Sequence, residues 1–185
     1  IFILPWAIPS FISILSFRWM LNPEWGMLNN IWFQFFKTDG PAWLLDRPLA
    51  LACIITVHVW RWLPFWTLIL LAARLAIPKD LYEASEMDGA GPLAQFRYVT
   101  FPSVAGLYVT SLVLSMIWSL GDFNSVYLLT GGGPGDLNHV LATLGIRYMR
   151  NNNLDLGIAS IIVAMPLILP MVFVMVKRLS KGADA

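Results

Sequence analysis

Two stretches of this chain carry no charged side chain over a length sufficient to cross a lipid bilayer. They run from Val99 to Leu120 and from Leu156 to Val176, and about 20 residues of apolar helix span the hydrocarbon core. Inside that core each backbone polar group needs a partner within the protein, so such spans are helical. Hydrophobic residues make up 58% of the sequence and charged residues 12%, unlike a soluble domain. The sequence therefore predicts an integral membrane protein.

Two further apolar segments precede these. Ile1 to Phe17, extended by the apolar residues 19–21, and Leu49 to Ala76 are both long enough to cross a bilayer. Pro5 and Pro9 each lack a helical hydrogen-bond donor, so we expect a break or kink in the first segment. The predicted fold is an all-α, polytopic membrane helical bundle with about four transmembrane helices.

A polar segment, residues 78–102, separates the second and third predicted spans. Pro78 suits a first helical turn, and apolar residues then fall three apart on one helix face, at Leu81, Ala84 and Met87. Gly89 can adopt the left-handed conformation that ends a helix, and Gly91-Pro92 permits a bend before a second short helix. The pattern predicts a bent helical projection outside the membrane.

The polar segment also carries a spaced motif. Three residues separate Glu83-Ala84-Ser85 from Gly89. Nine more residues separate Gly89 from Val99, and a single residue then precedes Phe101-Pro102. This resembles the signature Glu-Ala-Ala, three, Gly, nine, Ile, one, Leu-Pro of permease subunits of bacterial ABC importers, with Ser85, Val99 and Phe101 as conservative departures. The chain as a whole resembles carbohydrate permeases of the maltose/maltodextrin type.

The resemblance implies a cytoplasmic coupling loop that contacts a separate ATPase. Glu83 is the residue we expect to make a charge-assisted contact with a basic group of that ATPase. The residues expected at this contact are Tyr82, Glu83, Ala84, Ser85, Met87, Asp88, Gly89 and Gly91. The implied partners are a second homologous permease, two ATPase subunits that hold ATP and Mg²⁺, and an extracytoplasmic solute-binding protein. We expect residues 1–185 to form a single transmembrane domain of the bacterial inner membrane that lacks N-terminal helices of the full subunit.

Polar and aromatic residues inside the predicted spans are the candidates for substrate binding. By position they match sites where permeases of this type contact sugar: Trp6, Ser10, His58, Arg61, Trp62, Phe65, Trp118, Ser119 and Asp122. Aromatic faces suit pyranose rings and polar groups suit hydroxyls, so the expected ligand is a carbohydrate, neutral or acidic. In the alternative interpretation the tryptophans only pack, and Arg61 and Asp122 neutralise each other.

Two connecting segments are expected on the extracytoplasmic side, where they would contact the binding protein. Residues 22–48 are predicted to contain a short amphipathic helix at the membrane surface. In residues 129–155, a glycine-rich loop from Leu129 to Asn138 precedes an amphipathic run from Val140 to Arg150. The loop lacks the Lys-Ser/Thr ending of a phosphate-binding loop.

Other functional classes find little support in the sequence. The net charge is +1 and the single cysteine, Cys53, lies in an apolar run, so neither nucleic-acid binding, a disulfide framework nor a metal site is indicated. No catalytic constellation is present, and we expect a non-enzymatic subunit without its own cofactor. The alternatives are a secondary transporter, although no inverted repeat is visible, and a structural membrane subunit, which would need no polar cavity.

Overall fold

The computed structural model describes residues 2–183 and, among these, the side chains of residues 2–177. This part of the chain consists of helices and connecting loops, which agrees with the predicted all-α fold. A π-helical turn, Phe96–Thr100, lies between α6 and α7. The α-helices are α1 (Leu4–Ala7), α2 (Ser10–Met20), α3 (Met27–Phe36), α4 (Arg47–Leu75), α5 (Lys79–Met87), α6 (Pro92–Gln95), α7 (Phe101–Leu120), α8 (Phe123–Leu129), α9 (Leu141–Arg150), α10 (Leu154–Ile162) and α11 (Met165–Ala183).

Three helical stretches in the described residues are long and apolar enough to cross a membrane. They are Arg47–Leu75, Pro92–Leu120 and Leu154–Lys177. The second and third each contain a predicted span, and the first matches the span from Leu49 to Ala76 except for its last residue. The third comprises α10 and the start of α11, with a turn between them. The protein is therefore a membrane protein with several candidate spans, as predicted.

The first apolar segment is divided rather than continuous. Pro9 has φ −51° and ψ 132°, outside the helical region, and separates α1 from α2, which confirms the predicted break. Pro5 does not interrupt a helix, because it occupies the first turn of α1, where its missing N–H costs nothing. The segment consequently contains two short helices instead of one long one.

The buried centre joins α2, α4 and α8. Ile14, Ile54, Val57 and Leu129 are at most 7% exposed and belong to one apolar cluster. The divided first segment thus packs on α4 and on the short helix that follows α7, which brings distant parts of the sequence together around the polar residues described below.

Helices α9 and α10 form a close antiparallel pair at two glycines. A Cβ atom added to Gly157 would lie 2.7 Å from Met149 Cγ and 3.0 Å from the Gly145 carbonyl oxygen, whereas one added to Gly106 in α7 would meet nothing within 4 Å. Small residues let helix backbones approach this closely in membranes.

We therefore expect Gly157→Ala to destabilise the protein by about 1–3 kcal/mol, because the backbone of the facing helix must move. Gly106→Ala is the matched control and should be neutral or slightly stabilising, since alanine is the better helix former. Thermal unfolding in detergent measures both, and equal melting temperatures for the two variants would contradict the close packing.

Candidate functional site

His58, near the middle of α4, connects three helices. Its Nδ1 lies 2.7 Å from Asp122 Oδ2 and its Nε2 lies 3.2 Å from Ser119 Oγ. Ser119 is at the end of α7 and Asp122 immediately precedes α8. An imidazole whose Nδ1 carries the proton donates to the carboxylate and accepts from the serine hydroxyl, so both ring nitrogens are satisfied.

Asp122 is held as a charged helix cap. Its Oδ1 accepts from the Ser125 backbone N–H at 3.1 Å and its Oδ2 accepts from Ser125 Oγ at 2.5 Å, which is the usual role of an aspartate at the start of a helix. Burial would by itself raise the pKa of Asp122. The hydrogen bonds from His58 and Ser125 outweigh burial, so its pKa lies below the ordinary value.

Arg61 reaches this network indirectly. Its Nη1 donates to Ser125 Oγ at 3.2 Å, and its Cζ lies 6.0 Å from the centre of the Trp62 ring. Within residues 2–177 no ion pair joins Arg61 to a carboxylate, and Asp122 pairs with His58 instead. Arg61 and Asp122 do not touch each other, because Ser125 lies between them, but their charges are close enough to interact through space.

Aromatic rings continue the site along α4 and α7. Trp62 lies 4.9 Å from Trp118, Phe65 lies 5.7 Å from Trp118, and Phe65 stacks on Trp6 at 5.7 Å between ring centres. Trp66 contacts both Phe65, at 4.9 Å, and Trp118, at 5.6 Å. Rings on three separate helices thus form one continuous aromatic surface.

A cavity of about 380 Å³ opens where the polar network meets these rings. A second cavity of about 390 Å³ is lined in part by both His58 and Asp122. The first is lined by Arg61, Trp62, Ile117, Trp118, Gly121, Asp122 and Asn124. Each volume is within the usual range for a small-molecule site.

We call the polar network around His58, together with the aromatic rings beside it, the His58 cluster. All of the substrate residues predicted from the sequence lie in or beside the His58 cluster. Ser10 is the most peripheral, and it accepts a long hydrogen bond of 3.5 Å from Asn124 Nδ2. Ser125, Trp66 and Asn124 were missed. The spacing of Asp122 and Ser125 is that of a helix cap and could have indicated Ser125, and Trp66 follows Trp62 by one helical turn.

Residues 78–102, the predicted coupling loop, contain two helices joined by a bend, as the sequence predicts. Gly89 has φ +78° and ends the turn after α5, and Gly91 is extended. Two details of the prediction are wrong. Pro78 precedes α5 as its N-cap residue instead of occupying its first turn, and the short helix α6 is not separate from the third predicted span but continues through the π-helical turn into α7, up to Leu120.

Hydrogen bonds attach α5 to the base of the long helix. Tyr82 Oη lies 2.8 Å from Thr100 Oγ1 in the π-helical turn, and Thr100 is 7% exposed. Gln95 Nε2 donates to Glu86 Oε1 at 3.3 Å. The outer face of the loop is open, with Glu83 and Asp88 exposed and Met87 90% exposed.

Comparisons with known proteins agree with this geometry. Residues 1–182 match the family described as "Binding-protein-dependent transport system inner membrane component". The chain is 35% identical over 178 residues to the trehalose/maltose transport system permease protein MalF of Thermococcus litoralis, an alignment that covers 96% of this chain and 60% of that protein. It is 39% identical over 135 residues to the maltose/maltodextrin permease protein MalF of Salmonella typhimurium, covering 73% and 26%. It is 34% identical over 134 residues to the galactooligosaccharides permease protein GanP of Bacillus subtilis, covering 72% of this chain and 32% of that protein.

The fold also matches a solved structure. A chain of the bacterial alginate ABC transporter, crystallised with an alginate pentasaccharide-bound periplasmic protein, superposes with a TM-score of 0.81 at 23% identity, covering 93% of this chain and 60% of that one. This chain thus spans at most about 60% of the relatives described here. The match over nearly its whole length shows that the chain belongs to the family of binding-protein-dependent transport system inner membrane components.

Proposed function

We propose that this chain is a permease subunit of an ATP-driven, binding-protein-dependent carbohydrate importer of the bacterial inner membrane. The observation that supports this most directly is the cluster around His58 and Trp62, where sugar-compatible aromatic faces and hydrogen-bonding groups line one cavity. The named activities of the relatives, which transport maltose, trehalose or galactooligosaccharides, support the same substrate class.

In this proposal the chain moves substrate without catalysing a reaction. Alternating access occurs as helices shift around the cluster, and the energy comes from ATP and Mg²⁺ bound by two separate ATPase subunits. The exposed face of α5, including Glu83, receives the ATPase. Since three or four spans cannot enclose a pathway alone, a second homologous permease completes it. The solute-binding protein docks on residues 22–48 and 129–155, at the opposite membrane face.

An acidic sugar is the second candidate ligand, and one observation favours it. Arg61 uses one hydrogen bond to Ser125 and no ion pair to a carboxylate within residues 2–177, so guanidinium donors remain available in the cavity. A uronate or phosphate group would accept two parallel hydrogen bonds from it.

ATP-dependent uptake tests the proposed function. The full-length permease, co-expressed with its partner subunits and binding protein, should import radiolabelled oligosaccharides into proteoliposomes. We expect Trp62→Ala to lower uptake at least about tenfold, because a large aromatic wall of the cavity is lost.

Trp60→Ala is the matched control on the same helix. Trp60 packs edge-on against Phe17 at 4.9 Å and lies outside the cluster, so its replacement should change uptake little. Equal uptake by the two tryptophan variants would show that the cavity is not part of the transport pathway. A functional complex that contains a single permease chain and no ATPase would contradict the proposed assembly.

A further inference from the structure

A separate cavity of about 570 Å³ is formed by α3 and by the segments on either side of it, and it shares no lining residue with the cavity beside Arg61. We call it the loop pocket, and it is lined by Pro23, Glu24, Trp25, Asn29, Asn30, Phe33, Asp39 and Gly40. These residues precede α4, so the pocket belongs to the end of that helix opposite the coupling loop.

The base of the loop pocket is fixed by Asn29, which is 6% exposed. Its Nδ2 donates to the carbonyl oxygens of Pro23 and Pro41, at 2.9 and 3.2 Å, and its Oδ1 accepts from Trp43 Nε1 at 2.6 Å. A Cβ atom on Gly40 would lie 2.3 Å from Asn29 Oδ1. One buried amide therefore ties the segments before and after α3 together, and the pocket has a defined shape.

Two aromatic rings form walls of the loop pocket. Trp25 is 56% exposed and Phe33 is 51% exposed. Trp25 is nevertheless held in place, because its ring lies 6.0 Å from the Trp19 ring and its backbone N–H donates to Asn22 Oδ1 at 3.2 Å. Exposed aromatic faces in a concave site are suited to a ligand with an apolar face of its own.

The polar lining has unused hydrogen-bonding capacity. Glu24, Asn30 and Asp39 are exposed, and none of their side chains makes a hydrogen bond or ion pair within the part of the chain whose side chains the structure describes. Ionised carboxylates only accept hydrogen bonds, so the pocket suits a ligand that is rich in donors.

A basic side chain from another protein would also meet these requirements. The chain already supplies one, because Lys37 Nζ lies 5.9 Å from the centre of the Phe33 ring. A second cation beside the Phe33 ring would be repelled by Lys37, whereas an uncharged polyol would not be.

We propose that the loop pocket is an outer saccharide subsite that holds a neutral pyranose, with C–H faces on Trp25 and Phe33 and hydroxyls donating to Glu24 and Asp39. The choice of a sugar rests on the proposed function. The two carboxylates outnumber the one nearby cation, Lys37, so the loop pocket disfavours uronates and differs in charge preference from the Arg61 cavity. The subsite would receive a sugar before it enters the pathway.

Saturation-transfer NMR tests the subsite in the full-length permease complex, in nanodiscs without binding protein. The probes are a neutral mixture of maltotriose, trehalose and lactose, and separately trigalacturonate. All samples carry Trp62→Ala to weaken the inner cavity. Neutral-sugar signals should persist in this background and fall at least about fivefold on adding Trp25→Ala.

Phe35→Ala is the matched control, because Phe35 lies on α3 close to Phe33, is 79% exposed and does not line the pocket; it should leave the signals unchanged. Glu24→Gln with Asp39→Asn preserves shape and should weaken neutral-sugar signals while allowing trigalacturonate signals to appear. These isosteric changes keep the test informative if Trp25→Ala fails to fold.

The outcomes separate the subsite from the proposed function. Carbohydrate uptake with neutral-sugar signals that are absent, or that do not depend on Trp25, overturns the subsite and leaves the proposed function standing. Loss of binding-protein association in Trp25→Ala without any sugar signal also overturns the subsite and assigns the pocket to a protein contact. Trp25-dependent sugar signals in a complex that transports no carbohydrate support the subsite and count against the proposed function.

Discussion

Replacing Gly89 by valine is expected to abolish sugar-stimulated ATP hydrolysis while the protein still inserts and folds. Gly89 has φ +78°, a conformation that costs a β-branched residue at least about 1–2 kcal/mol. A Cβ atom there meets nothing within 4 Å, so the effect comes from the backbone rather than from crowding. The strained turn changes the direction of α5, whose exposed face is the proposed ATPase contact. ATPase assays of the reconstituted complex measure the loss.

Gly91→Ala is the matched control for this change. Gly91 has φ −72° and equally open surroundings, so alanine fits without strain and coupling should be retained. Wild-type coupling in Gly89→Val would contradict the role of the turn.

The charge of Glu83 gives a companion test of the same surface. Glu83→Lys should also uncouple hydrolysis, because a cation would face the basic group expected on the ATPase. Asp80→Lys makes the same charge change one turn earlier on exposed α5 and should have a small effect. Equal losses in the two variants would show that only the net charge of the loop matters.

Arg61→Gln is expected to lower the uptake of acidic oligosaccharides about 10- to 100-fold and that of neutral oligosaccharides much less. A hydrogen bond to a charged group contributes about 1.5–3 kcal/mol, and glutamine cannot supply the paired donors of a guanidinium. Arg61→Lys keeps the charge and should retain part of the acidic uptake. Uptake assays with matched neutral and acidic trisaccharides test this prediction. Equal losses of neutral and acidic uptake in Arg61→Gln would exclude an acidic ligand bound by Arg61.

Neutralising Asp122 in the same protein is not expected to rescue Arg61→Gln. Asp122 is satisfied by His58 and Ser125, so Asp122→Asn keeps the helix cap but removes the ion pair with His58 instead of an unused counter-ion. Ser125→Ala should change the position of the Arg61 side chain, because it deletes the hydroxyl to which Arg61 Nη1 donates. Strong rescue in the double variant would show that Arg61 and Asp122 depend mainly on each other.

Local rules predicted much of the fold. The uncharged runs gave the long helices, Pro9 gave the break between α1 and α2, and Gly89 gave the left-handed turn. These features depend on residues close together in sequence, where backbone sterics and hydrophobic length decide. The sequence did not predict that the helix beginning at Pro92 continues to Leu120. Gly91-Pro92 indicates a break between helices but not the length of the helix that follows, and a π-helical turn joins that helix to the next one.

The site was only partly predictable for a different reason. The types of its residues stood out as polar or aromatic within apolar runs, but their pairing depends on contacts across more than sixty positions, such as His58 with Asp122. Charge alone suggested Arg61 as the partner of Asp122. The observed pairing follows from where α4 meets the start of α8, and Ser125 gave no signal beyond the spacing of a helix cap.

The hydrogen bond between Tyr82 and Thr100 joins the coupling loop to a rod whose far end carries Ser119. The stretch from Pro92 to Leu120 has 29 residues, which corresponds to about 43 Å of helix. A tilt of about 5° at its base would displace the far end by roughly 4 Å, comparable to the whole length of the Ser119–His58 hydrogen bond. One long helix therefore links the Tyr82–Thr100 contact to the Ser119–His58 contact, so in the proposed importer a small rotation of α5 is expected to open or close the contacts around Ser119.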